Sequence, residues 1–320
     1  MNSIVCTLFE NHYHFGVVAL VNSLYRQGFR GEVFAGYRGG LPRWTSHAMA
    51  NPSLLWEGSS TLNVAKELQV HFLPIKTDYH LTNYKPEFML KLWEGPAKKA
   101  RRCYYFDPDI VVIRSWDLFE QWTDCGLAIC EDVNSPLAAN HPRRIAWRRY
   151  FGEKGITLFF KEAIYANGGF IGVNLKDRSF LSVWKTIQEE MAPAIGGLNY
   201  SQFDTSLESS QGPFTPFGRT DQDALNASIE AWDGIVSFVG QEGMAFKPGL
   251  SLMPHALGAI KPWQLKPLQR AMAGCPPRLV DRLYWRFVNG PISSHSPFVT
   301  YSMNVAISLA ALIGRFYRRN

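Results

Sequence analysis

Cysteine is scarce and unorganised in this chain. The five cysteines (Cys6, Cys103, Cys125, Cys130 and Cys275) form no Cys-x-x-Cys pair and no zinc-like spacing. That argues against a disulfide framework and against a structural zinc site, and it implies a reducing compartment. Cys6 and Cys103 stand in apolar runs, as buried free thiols do. No signal-like or anchoring stretch precedes the first strand-like run, Ile4 to Leu8, so the expectation is a cytoplasmic protein whose fold starts at once. Internal repeats are absent. The apolar run Met303–Ile313, broken by Asn304 and Ser308, is too short to span a bilayer on this reading. Acid is nearly missing from the C-terminal end. Residues 261–320 hold nine basic side chains and one acidic one, Asp281, a balance of +8; the whole chain carries +6, so the rest sums to −2.

What is present fits a folded protein. A chain of 320 residues can bury a large core as one large or two fused domains. Apolar residues make up 46%, which excludes a disordered class. The pI of 9.0 raises nucleic-acid binding, but no motif for it is found. A basic tail on a near-neutral body points instead to an anionic membrane surface. Arg278, Arg282 and Arg286 fall at i, i+4 and i+8, one stripe of a helix. With Arg315, Arg318 and Arg319 at the end, the tail reads either as an interfacial amphipathic anchor or as a helix packed on the body.

The order of elements implies an α/β fold. Ile4–Leu8 reads as a strand, His14–Gln27 as a helix closed by Gly28, and Gly31–Tyr37 as a second strand. Thr61–Leu68 is expected to be helix and Val70–Ile75 strand. Glu87–Trp93 and Gly95–Arg102 read as helical pieces before the strand Cys103–Phe106, and Gly126–Cys130 as another strand. Strands alternating with helices predict a parallel sheet. Residues 132–166 and 196–220 read as insertions, and loops this long are often substrate-binding segments. Arg143, Arg144, Arg148 and Arg149 in the first could equally form a solvated helix face.

The most unusual stretch is Tyr104-Tyr105-Phe106-Asp107-Pro108-Asp109-Ile110-Val111-Val112-Ile113. Two carboxylates sit inside an apolar segment, where charge is rare unless something pairs with it. On an extended backbone Asp107 and Asp109 point to one side and can converge on a hard cation. Asp-Pro-Asp is also good turn chemistry, so the motif alone leaves both readings open.

Further motifs follow in order: Thr7-Leu8-Phe9-Glu10-Asn11-His12-Tyr13 with Gly16, Lys91 sixteen residues before Asp107, Asn167-Gly168-Gly169, Asp221-Gln222, and His255-Ala-Leu-Gly258-Ala-Ile-Lys261-Pro262-Trp263. Each has a plain structural reading as core aromatic, snorkelling lysine, bulged turn, helix N-cap or buried histidine. Together, over about residues 4 to 263, their order and spacing resemble glycosyltransferase family 8, which includes glycogenins and bacterial lipopolysaccharide galactosyl- and glucosyltransferases. The Lys-Pro-Trp block is the strongest match, Glu10 and Asn11 the loosest, and Pro108 stands where the family more often has a small residue.

The resemblance implies a GT-A fold: a Rossmann-like mixed, mostly parallel central sheet flanked by helices. The glycosyltransferase domain would span residues 1–263, and a basic, aromatic helical tail residues 264–320. It implies Mn²⁺, with Mg²⁺ second, held by Asp107, Asp109 and His255. Thr7 and Leu8 would line the nucleoside pocket of a UDP-sugar, and Tyr13 would stack on uracil. Lys91, or the less well spaced Lys85, would reach the donor phosphate or sugar. Asp107 would touch the ribose, Asn167 and Gly169 the sugar, and Gly258 and Lys261 the diphosphate. Gln222 would sit near the reacting carbon in a configuration-retaining transfer, while Asp221, like Asn167, would hold sugar hydroxyls. Acceptors would be saccharides or lipid-linked glycans. The alternatives are a nucleotidyltransferase, although residues 7–16 lack the Gly-rich basic loop typical of one, and a non-catalytic carbohydrate-binding relative.

Overall fold

The computed structural model describes residues 2–201 and 216–316. In chain order its elements are β1 (Ser3–Glu10), α1 (His14–Arg26), β2 (Gly31–Arg38), β3 (Met49–Ala50), β4 (Ser60–Ala65), β5 (Leu68–Pro74), α2 (Lys85–Glu94) and β6 (Arg102–Phe106). Then follow α3 (Trp116–Asp124), β7 (Leu127–Glu131), α4 (Pro142–Glu153), β8 (Ala166–Asn174), α5 (Ser179–Ile195), α6 (Thr220–Ala231), β9 (Val236–Val239), α7 (Pro267–Met272), α8 (Leu279–Phe287) and α9 (Pro297–Ile313).

The strands form one mixed nine-stranded sheet in the order β3-β4-β5-β2-β1-β6-β8-β7-β9. The four strands β5-β2-β1-β6 run parallel, while β8 lies antiparallel to both β6 and β7. β1 shows why the sheet is central. Ile4, Cys6 and Leu8 feed an apolar layer shared with α2, α5 and α6. Val5 and Phe9 feed the opposite layer with α1 and α3. A strand buried on both faces is a continuous apolar run, as parallel strands require. Thr7 is wholly buried and its hydroxyl has no hydrogen-bond partner.

Two expectations fail locally. Thr61–Leu68 is not a helix but β4 turning tightly into β5, with register running from Ser60↔Phe72 to Ala65↔Leu68. Glu67 takes a left-handed φ of 61° in the turn. Ala, Lys, Glu and Leu are helix formers, but cross-strand pairing overrides a weak local preference. Gly95–Arg102 is likewise turn rather than helix, and β6 already starts at Arg102.

The C-terminal helices pack against α1. Leu283, Tyr284, Trp285, Phe287 and Ile307 are buried there with Ala19, Val111 and Leu265. Asn22 of α1 donates to the carbonyls of Phe287 and Ile292, both at 2.8 Å. The last helix is longer than the sequence suggests. Helical turns run from Pro297 to Phe316, 20 residues of mean hydropathy 1.4 and 11% buried, so by length and composition the segment could cross a membrane. Arg318 and Arg319 and most of 196–220 lie outside the described residues.

Candidate active site

The cleft opens at the carboxyl ends of β1 and β6, where open α/β sheets collect ligands. It encloses about 390 Å³ and is lined by residues from β1, the β6–α3 loop, the β7–α4 loop, β8, the start of α6 and the 255–261 loop. That is within the usual range for a small-ligand site.

Main-chain pairing brings the metal-type ligands together. Asp107 leaves β6 with its N–H donating to Gly169 O of β8 at 2.7 Å. The next residues pair with a distant segment: Val111 N donates to Pro254 O, Ala256 N to Asp109 O, and Ile110 bridges His255. His255 Nε2 therefore lies 3.1 Å from Asp109 Oδ1 and 3.9 Å from Asp107 Oδ2. Ligand atoms of the three side chains all fall within 4.8 Å of one another. Two carboxylates and one imidazole suit Mn²⁺ or Mg²⁺, so the donor set fits the metal the resemblance implies. Gly169 is required here, because a Cβ would stand 2.6 Å from His255 Cε1.

Lysines compensate the acids. Lys261 Nζ lies 2.7 Å from Asp109 Oδ2 and also donates to Ala256 O. Burial alone would raise the Asp109 carboxyl, but His255 and Lys261 outweigh it and hold it well below the usual carboxylate range. Lys85, 1% exposed, lies 3.2 Å from Asp107 and 3.4 Å from Asp221 and donates to Gly168 O at 2.8 Å. Burial disfavours its charge, yet Asp107 and Asp221 together raise its pKa. Asp221 is pushed up by burial and by the Asp107 charge, against the pull of Lys85.

Leu8, Tyr13, Asp107, Asp109, Asn167, Gly169, Asp221, Gln222, His255, Gly258 and Lys261 all line the cleft. Tyr13 stacks on His12 at 4.9 Å between ring centroids and meets Trp263 edge-on at 5.6 Å, while Lys261 Nζ lies 5.8 Å from its ring centre. Gly258 has a left-handed φ of 88°. Gln222 Oε1 accepts from Gly168 N at 3.3 Å.

Two assignments need correction. Lys91 is not a cleft residue: half-exposed on α2, it pairs with Glu87 at 2.7 Å and with the Tyr84 hydroxyl at 2.9 Å. Six residues earlier, about one and two-thirds helical turns, Lys85 points inward and takes the place beside Asp107. Thr7 also stays out: it is wholly buried within β1, one residue below the strand end from which Leu8, Phe9 and Glu10 line the cleft.

Other cleft residues carried no motif. The Tyr105 hydroxyl donates to Asp107 Oδ1 at 2.9 Å. Asp132, buried just beyond β7, accepts from Asn167 Nδ2 at 2.6 Å and from Asn134 N at 2.9 Å. The signal that finds Asp107 would also find Asp132: a carboxylate closing an apolar strand, Leu127-Ala-Ile-Cys130.

No protein-family model and no curated protein matches the chain. Among solved structures, the apo structure of the bifunctional glycosyltransferase WbbM is similar, with a TM-score of 0.50 at 13% identity. The likeness covers 95% of this chain and 52% of that one, so the chain spans about half its length. At this identity the likeness is one of fold alone, and it does not distinguish family 8.

Proposed function

We propose that the protein is a metal-dependent, retaining glycosyltransferase of the family 8 type. It would move a hexose from a UDP-sugar, UDP-galactose or UDP-glucose, to a saccharide or lipid-linked glycan in cell-surface polysaccharide synthesis. Residues 1–263 would form the catalytic unit and residues 264–320 a tail at the cytoplasmic membrane face. The observation that carries this reading is the convergence of Asp107, Asp109 and His255 beside Lys261 in one cleft.

Asp107, Asp109 and His255 would hold Mn²⁺ or Mg²⁺, whose chemistry is to neutralise charge developing on the departing diphosphate. The protein's own groups do the rest. Lys261 exchanges Asp109 for a phosphate oxygen, and the left-handed turn at Gly258 brings its backbone close to the same group. Tyr13 offers a flat face to the base. Asn167, fixed by Asp132 on one side and Gly169 N on the other, and Asp221, fixed by Lys85, orient sugar hydroxyls. Gln222 stands at the reacting carbon with its amide already aimed by Gly168 N. The carboxylates beside it are already engaged, Asp221 by Lys85 and Asp132 by Asn167, which favours front-face attack by the acceptor hydroxyl over a covalent intermediate. His80, Thr82, Val133 and Asn134 line the remaining wall and would meet the acceptor.

A panel of UDP-sugars assayed for UDP release tests this. Mn²⁺-dependent release from one sugar, with an α-anomeric product by NMR coupling, is expected. Absence of release across the panel, or an inverted product, would overturn the reading.

A further inference from the structure

The outer face of α9 is an unpartnered apolar surface. Phe298, Tyr301, Val305, Leu309 and Leu312 are 79%, 71%, 41%, 49% and 49% exposed. At about 100° per residue they fall within an arc of roughly 80°. Phe316, 83% exposed in the following turn, continues the line. Single exposed apolar residues are ordinary, but an aligned row of large ones marks a contact surface.

The opposite face is committed to the body. Ile307 and Ala310 are buried, Asn304 Nδ2 donates to Trp285 O of α8 at 3.4 Å, and a Cβ on Gly314 would strike Pro276 at 2.5 Å. α9 is therefore pinned flat along its inner side. Crossing a bilayer would require tearing that side from α7 and α8, although its length and hydropathy would permit a span.

The exposed charge of the described C-terminal segment has one sign: Lys266, Arg282, Arg286 and Arg315 are all exposed. The acid among residues 264–316 is Asp281, which is buried and paired with Arg278 at 2.9 Å. Two copies meeting through this row would bring two basic segments together, which charge disfavours.

We infer that α9 docks the protein onto an anionic lipid surface. It lies in the plane of the interface with the row from Phe298 to Leu312 inserted among acyl chains, and the exposed arginines and Lys266 rest on headgroup phosphates. Apolar insertion and several basic contacts together make such binding firm yet reversible. The inference extends the membrane placement proposed above, but its test reads lipid binding rather than transfer, so each can fail without the other.

The experiment is vesicle flotation of the full chain with phosphatidylglycerol-containing and pure phosphatidylcholine vesicles. The variant Phe298→Ser/Tyr301→Ser/Leu309→Ser changes exposed positions only, and circular dichroism confirms its fold. Wild type should float with anionic vesicles and be released by high salt, whereas the triple variant should bind at least about tenfold more weakly. Arg282→Ser/Arg286→Ser should lose the preference for anionic over neutral lipid. Equal flotation of wild type and triple variant would overturn the inference. So would resistance of wild type to alkaline extraction from vesicles, which indicates a span, or a wild-type dimer in light scattering that the triple variant makes monomeric.

Discussion

Replacing Lys85 with Met separates the two lysines that compete for the cleft. The substitution keeps length and apolar volume but removes a buried ammonium from between Asp107 and Asp221, at 3.2 and 3.4 Å. It also strips Gly168 O of its side-chain donor. Breaking a buried pair leaves uncompensated charge and costs about 3–5 kcal/mol. For a chain of this size, at about 2 °C per kcal/mol, the melting temperature should fall by roughly 6–10 °C. Asp221→Asn in the same background should recover part of the loss, because one of the two stranded carboxylates is gone. Lys91→Met is the control: its side chain is 46% exposed and its partner Glu87 sits one turn away, so the cost should stay below about 1 kcal/mol. Differential scanning fluorimetry of the four proteins, with and without Mn²⁺, provides the readout. Equal melting of Lys85→Met and wild type, or equal losses for the two lysine variants, would refute the reasoning.

Further outcomes follow from other parts of the site. Asp223 is buried in the first turn of α6, accepts from the Tyr165 hydroxyl at 2.7 Å, and is pushed up to about 7 by burial. A carboxyl raised on folding stabilises fully below its unfolded pKa near 3.9, and that stability is lost as pH rises through about 7, on the order of 4 kcal/mol in all. Urea unfolding between pH 5 and 8 should show this fall in wild type and flatten in Asp223→Asn; parallel curves would exclude it. Arg278 donates to Leu257 O at 2.5 Å and Ile260 O at 3.3 Å, so α8 braces the loop that carries Gly258. Arg278→Lys keeps a cation beside Asp281 but cannot span both carbonyls, and it should raise the donor KM about three- to tenfold with the melting temperature unchanged. A Cβ on Gly16 would lie 2.2 Å from Pro108 O, so Gly16→Ala should cost about 1–3 kcal/mol and weaken Mn²⁺ binding by displacing Asp107 and Asp109; full metal affinity would contradict this.

The parallel strands were legible because a strand buried on both faces leaves a largely apolar run, as β1, β2 and β6 do, and as β5 does apart from Gln69 and His71. β4 was not, because its turn uses Lys66-Glu67 rather than the Asn-Gly or Asp-Gly pairs that signal a tight hairpin. Asp107, Asp109 and His255 stood out in sequence because charge or imidazole in an apolar setting needs a partner. Lys85 was underweighted, because spacing along the chain does not reveal which face of α2 turns inward. Periodicity settles that only when the neighbouring pattern is clean, and Lys85 and Lys91, six residues apart, point about 120° away from each other around the helix. Asp132 was missed although it repeats the strand-end carboxylate that flagged Asp107. The length of α9 was understated because Ser302, Asn304 and Ser308 interrupt its apolar run, yet Ser308 and Asn304 simply bond back to the preceding turn.

Calorimetric titration of UDP with and without Mn²⁺, on wild type, Asp109→Asn and His255→Ala, tests the central claim most directly. Wild type should bind UDP tightly only when Mn²⁺ is present, and both variants should lose that metal-dependent binding while melting as cooperatively as wild type. Metal-independent UDP binding by wild type, or metal-dependent binding retained in either variant, would contradict the assignment of Asp107, Asp109 and His255 as the cation clamp.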